Sequence, residues 1–291
     1  MSKQEQFGFG GRWTIQKLDS LQKYLEAYTK LFAVNDRAQH LRTLYVDAFA
    51  GEGKLTLGAD DDQSASLFAH DKELKGSALR ALELSPPFDE YIFVEKNSSR
   101  CEELRNLSAR FTSLSVQVVN RDANEFLKSW SEQSHRRERA VVLLDPFAME
   151  VDWVTLSSLS KTRIVDLWYL FPCGAFNRLL TRSRKPPESW GERISRALGT
   201  DDWQSVFYKV KETEGLFGPI VTEEKISGFN EIFEFVRKRL LTIFVDVVEE
   251  PMYLVNATNS PIFMFFFAAS NERGATTGKK IAKSIIKTHG H

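Results

Sequence analysis

Four acidic residues stand where an apolar run ends. Asp47 closes "LYVD", Glu95 closes "YIFVE", Asp122 follows "VQVVN", and Asp145 closes "AVVLLD". Asp47 opens into a small-residue turn, Ala48-Phe49-Ala50-Gly51-Glu52-Gly53, and Asp145 is followed by Pro146 and Phe147. Glycines at 51 and 53 let the backbone approach a ligand closely. In an open α/β sheet, ligands bind beyond the carboxyl ends of the strands, near the switch in strand order. An acid at such a position is suited to bidentate hydrogen bonding with ribose hydroxyls, or to accepting a hydrogen bond from an amino group.

Two phosphate-binding patterns are excluded. A Walker loop needs Gly at the place of Ala48 and Ser or Thr after Lys54, where Leu55 stands. The GxGxxG dinucleotide fingerprint has Phe49 where its first glycine belongs. Its ribose-binding acid is expected about 20 residues on, whereas Glu95 lies 42 positions beyond Gly53, a gap that an insertion at 54–75 would explain. The remaining pattern is an adenosine site without a pyrophosphate cradle. On residue type alone, the opening turn also reads as a plain strand–helix corner, and Asp145 as a helix cap with Pro146 and Phe147 in loop and core.

Further candidates surround this set. Trp168 and Tyr169 are expected to alternate between core and cleft, so that one of them stacks on a substrate. Asn177 and Arg178 follow the fifth strand and read either as substrate contacts or as a turn. Arg178, Arg182, Arg184, Lys185, Arg193 and Arg196 face only Glu188 and Glu192 in their segment, and no acid follows Glu272 in a closing stretch of five Lys and Arg. These form either a phosphate-contacting rim or solvated helix faces. The five histidines show no ligand spacing, and no metal site is expected.

Composition limits the alternatives. With 39 basic and 39 acidic residues the net charge is zero, which argues against a general cationic coat for DNA or RNA but not against a local patch. Cys101 and Cys173 lie far apart, so neither a disulfide framework nor a cysteine-rich metal site is indicated. The apolar run "PIFMFFFAAS" is about half the length of a membrane helix, and "MSKQEQFGFGG" lacks the apolar core of a secretory signal. A cytoplasmic protein without a membrane anchor is expected.

The elements that must position these residues follow from periodicity. Thr14 reads as the N-cap of an amphipathic helix running to about Phe32, within an N-terminal helical extension, 1–40. Ser77 reads as the cap of a helix to about Leu84. Apolar strands then alternate with amphipathic helices through 171, which indicates βαβ units in a parallel sheet covered on both faces. Residues 54–75 read as an inserted loop and 174–228 as a helical insertion within one α/β domain, 41–291. Two strands joined by Thr258-Asn259-Ser260-Pro261 and a final helix close the chain. Five helix-linked strands, a further helix and a terminal hairpin are the order of the Rossmann-like class I methyltransferases, whose last strand inserts antiparallel in a mostly parallel sheet.

The motifs "DAFAGEG", "FVEKN", "RDANEFL" and "LLDPF" resemble those of S-adenosylmethionine (SAM)-dependent methyltransferases, especially enzymes that modify amino groups of nucleic-acid bases. More closely, "FGGRWTIQKLDSLQKYLEAYTK", "YVDAFAGEG", "DPFAM" and "DLWYLFPCGAFNRLL" resemble the bacterial three-Cys-motif partner protein family, from about Phe9 to Lys287. That resemblance implies SAM as cofactor and a partner carrying three cysteines. It implies that Asp47, Phe49, Ala50, Gly51 and Gly53 line the methionine and sugar side of SAM. Glu95 would hold the ribose hydroxyls, Asp122 and Ala123 would flank the adenine, and Asp145-Pro146-Phe147 would face the methyl acceptor. Trp13 and Lys17 match the family's N-terminal pattern, either through helix packing or by reaching the carboxylate end of SAM. The chain lacks the second proline of the Asp-Pro-Pro-aromatic motif, so Phe147 arrives one position early. The alternative reading is a methyltransferase-fold subunit serving chiefly as a partner.

Overall fold

The computed structural model describes residues 12–55, 74–181, 186–215 and 218–289. In chain order the elements are α1 (Arg12–Val34), β1 (Arg42–Asp47), β2 (Lys54–Leu55), β3 (Leu74–Lys75), α2 (Ser77–Leu82), β4 (Glu90–Glu95), α3 (Ser98–Ser108), β5 (Val116–Asn120), α4 (Ala123–Ser131), β6 (Glu138–Leu144) and α5 (Trp153–Lys161). Then follow β7 (Val165–Phe171), α6 (Cys173–Leu179), α7 (Glu188–Leu198), α8 (Trp203–Phe207), β8 (Tyr208–Gly215), β9 (Gly218–Lys225), α9 (Phe229–Leu241), β10 (Asp246–Val247), β11 (Met252–Val255), β12 (Pro261–Ala269) and α10 (Ala275–His289).

The main sheet runs β10-β12-β7-β6-β1-β4-β5, with β11 also paired to β12. Strands β5, β4, β1, β6 and β7 are mutually parallel, and β12 lies antiparallel to β7. This is the mostly parallel, Rossmann-like sheet with an antiparallel terminal strand that the sequence indicates. Successive residues point to opposite faces of a strand, and both faces are buried. Leu44, Val46, Val142, Leu167 and Tyr169 enter one core with α4, α5 and the α6–α9 segment. Tyr45, Val141, Leu143, Trp168 and Leu170 enter the other with α1, α2, α3 and α10.

Helix α1 is part of that second core. Its Tyr24 hydroxyl donates to Asp166 Oδ2 on β7 at 2.7 Å, and Trp13 packs on Phe263 of β12 with ring centroids 5.0 Å apart. Thr14, expected as the cap, lies inside the helix instead. The segment 174–228 holds more than helices, since β8 and β9 form a two-stranded hairpin in register from Tyr208–Lys225 to Gly215–Gly218. Charged residues take four of the eight positions of "YKVKETEG" and three of the eight of "GPIVTEEK", so no sustained apolar alternation marked them as strands. The 54–75 insertion begins and ends in the antiparallel β2–β3 pair, and its interior, 56–73, lies outside the described residues. No helix among the described residues is long and apolar enough to cross a membrane.

Asp166 gives a test of how α1 is held. Burial pushes its carboxyl up to about 7, against the Tyr24 hydrogen bond and the Arg139 charge. An acid whose folded value is raised stabilises the fold fully below its unfolded value, and that contribution is lost as pH rises toward the folded one. Asp166→Asn keeps an acceptor for Tyr24 and removes the titration. Urea unfolding is expected to give the parent a steeper fall in stability than the variant between about pH 4 and 7, by up to about 1.4 kcal/mol per pH unit. Equal slopes would mean that Asp166 is not held neutral.

Candidate active site

Parallel register aligns the strand ends. Asp47 of β1 lies beside Phe93 and Leu143, and Glu95 of β4 beside Asn120 of β5. The Asp47 side chain is fully buried. It accepts hydrogen bonds from Ser77 Oγ at 2.6 Å, from the Phe49 N–H at 3.3 Å and from the Tyr45 hydroxyl at 3.5 Å. Ser77 is therefore no cap; it is the first residue of α2, behind Gly76, and spends its hydroxyl on the strand end. Burial pushes the Asp47 carboxyl up to about 7; Ser77 opposes this and the nearby Asp145 charge adds to it.

Beyond Asp47 the chain turns through two left-handed glycines, Gly51 at φ +61° and Gly53 at φ +78°. The Gly51 N–H donates to Glu95 Oε2 at 3.1 Å, and Glu95 Oε1 accepts from the Asn97 N–H at 2.7 Å. The acid of β4 is thus held by backbone at both oxygens. Asp122 caps α4 by accepting from the Asn124 and Glu125 N–H groups, and Lys96 Nζ lies 3.3 Å away. Burial would raise the Asp122 carboxyl, but these hydrogen bonds and the Lys96 charge hold it below the usual range. Ala123, 7% exposed, packs into the core at the start of α4.

One cleft collects much of the expected set. Phe49, Ala50, Gly51, Gly53, Asp145, Pro146 and Phe147 line it; Asp47 sits behind the glycine turn, and Glu95 is tied to Gly51. Asp122 and Ala123 are at the next strand end and do not line it. The opposite wall comes from α1, through Trp13, Thr14, Lys17 and Leu18, and from Phe263. Lys17, 5% exposed, forms an ion pair with Asp145 Oδ2, and its ammonium lies 5.5 Å from the Trp13 ring centre. The buried Thr14 hydroxyl has no hydrogen-bond partner among the described residues. Phe147 is 55% exposed at the rim, with the Arg100 guanidinium 5.9 Å from its ring centre. The Lys17–Asp145 pair spans 128 positions, so only the placement of a lysine on the apolar face of its helix hinted at it.

Other expected contacts fall elsewhere. Trp168 is fully buried between Tyr24, Phe265 and Phe267, with centroids 4.7 to 5.5 Å away, and offers no face to a substrate. Tyr169 is buried on the other side, because β7 is covered on both faces. Asn177 accepts from Lys225 Nζ at 2.5 Å, Arg178 is exposed on α6, and Arg182 lies outside the described residues together with Arg184 and Lys185. Arg196 pairs with Asp152, and Lys279 with Asp246 and Glu249, so these members of the expected basic rim are neutralised. A larger hollow of about 470 Å³ lies between α7 and α8, but none of the strand-end residues lines it.

The two glycines make different demands. A Cβ at Gly53 would come within 2.6 Å of Leu107 Cδ2, whereas one at Gly51 meets nothing within 4 Å among the described residues. Gly53→Ala is expected to cost about 2–4 kcal/mol from backbone strain and overpacking together, and Gly51→Ala about 1–2 kcal/mol from strain alone. Urea unfolding that ranked Gly51 as the more sensitive site would contradict this geometry.

No family model matches the chain, and no curated protein matches it. Among solved structures, the fold is similar to that of a Legionella pneumophila str. Philadelphia 1 protein of family DUF519, with a TM-score of 0.51 at 10% identity over 96% of this chain and 93% of that one. Trm1 from Pyrococcus horikoshii, solved with SAM, gives a TM-score of 0.48 at 10% identity over 98% of this chain and 61% of that one. A SAM-dependent methyltransferase from Clostridium acetobutylicum gives 0.38 at 11% identity over 87% and 92%. At such identities the likeness is one of fold alone, a mostly parallel, Rossmann-like α/β sheet.

Proposed function

We propose that the protein is a SAM-dependent methyltransferase that acts on an amino group of a nucleic-acid base in DNA or RNA. The observation that carries this reading is the single cleft joining the Gly51–Gly53 turn to Asp145-Pro146-Phe147 at the carboxyl edge of the sheet. The turn suits an adenosyl cofactor: a Cβ at Gly51 would meet nothing within 4 Å among the described residues, and Glu95 is fixed beside it. Phe49, Ala50, Gly51 and Gly53 would hold the amino-acid and sugar portion, Glu95 the ribose, and Asp122 with Ala123 the adenine. Bound SAM supplies an electrophilic methyl group.

The chain's own residues do the rest. Asp145 accepts a hydrogen bond from the acceptor amine, which orients its nitrogen and raises its nucleophilicity. Phe147 stands at the rim of the same cleft, and holding the reactants in register supplies much of the rate. A second reading is a SAM-binding or inactive subunit serving a three-cysteine partner protein. It is favoured by the absent second proline.

Calorimetry with SAM and S-adenosylhomocysteine tests the cofactor. Glu95→Ala is expected to weaken both by roughly tenfold or more, as the loss of a charged hydrogen bond predicts. Asp145→Ala should keep S-adenosylhomocysteine affinity and lose methyl transfer from labelled SAM to DNA or RNA. A folded protein that binds neither compound would sink the proposal; binding without transfer to any nucleic acid would favour the subunit reading.

A further inference from the structure

We propose that Lys17 is a positioning residue for Asp145. This rests on the methyltransferase reading above and adds a residue to its site. Lys17 reaches Asp145 from another layer of the fold, with side chains 7% and 22% exposed. Its helix cannot drift, since Trp13 packs on Phe263 and Tyr24 is bonded to Asp166.

The pair leaves Asp145 half engaged. Oδ2 is taken by the ammonium, while Oδ1 makes no hydrogen bond among the described residues. Fixing one oxygen sets the plane of the carboxylate and therefore the direction in which the other accepts. The acceptor nitrogen must approach this oxygen with its lone pair turned toward the methyl donor, a demand on orientation to which rates are steeply sensitive.

The test uses the full chain saturated with S-adenosylhomocysteine, or supplied with labelled SAM for transfer. The probes are mixed-sequence single-stranded DNA and RNA oligonucleotides. Lys17→Met is expected to lower transfer to an oligonucleotide by about 100-fold, mainly in kcat, with S-adenosylhomocysteine affinity within about twofold of the parent. Lys17→Arg, which keeps the cation and the fold, should recover at least a tenth of the parent rate. Transfer by Lys17→Met at the parent rate would overturn the positioning role. So would a loss shared equally by Lys17→Met and Lys17→Arg with both proteins folded by circular dichroism. A parent that binds S-adenosylhomocysteine but methylates neither oligonucleotide overturns the inference and leaves the cofactor assignment standing; a parent that binds no S-adenosylhomocysteine removes the methyltransferase reading itself.

Discussion

Parallel strand register brings four carboxylates to one edge of the sheet, and the local structure follows from how each is compensated. Like charges gathered in a partly buried region are costly unless hydrogen-bonded or paired. Asp47 is the most buried and is held by Ser77, by the Phe49 N–H and by its own shift toward the neutral form. Glu95 is satisfied by two backbone N–H groups, one of which defines the glycine turn. Asp122 caps α4 and attracts Lys96. Asp145 is paired with a cation from a different helix. Each solution also builds something: the seat of α2, the turn, the start of α4, and the far wall of the cleft.

That wall gives α1 a role larger than covering apolar surface. Through Tyr24 it is fixed to the middle of the sheet, and through Trp13 to the antiparallel strand β12. The cleft is consequently a junction between the beginning of the chain, the first and fourth parallel strands, and the terminal hairpin. Residues more than 200 positions apart, Trp13 and Phe263, line the same space.

What could be read from sequence was what local pattern encodes. The strands, their order and the acids at their ends follow from apolar runs and the residues that interrupt them. Asp47, Glu95 and Asp145 are legible for that reason. Ser77 was misread because a serine before a helix resembles a cap, and only the folded chain brings Asp47 within reach of its hydroxyl. Trp168 was misread because a strand covered on both faces has no cleft-facing side, and one strand's sequence does not say which helices will cover it. Lys17 was matched only as a pattern element, because its partner lies 128 positions away. The β8–β9 hairpin was missed because its strands carry charge where an apolar alternation would have shown them.

The small β2–β3 ladder has a consequence of its own. Along the backbone Leu55 pairs with Leu74 and Lys54 with Lys75, and the Gly76 N–H donates to the Gly53 carbonyl at 3.1 Å. The two ends of the insertion are therefore clasped together within a residue of the glycine turn. Lengthening a connection whose ends are already joined is cheap, about 0.6 kcal/mol for each doubling. The fold thereby separates the dimensions of the ligand-facing turn from the length of whatever is spliced beside it. Related chains are free to vary here, and a foreign segment could be grafted here, without redrawing the edge of the sheet.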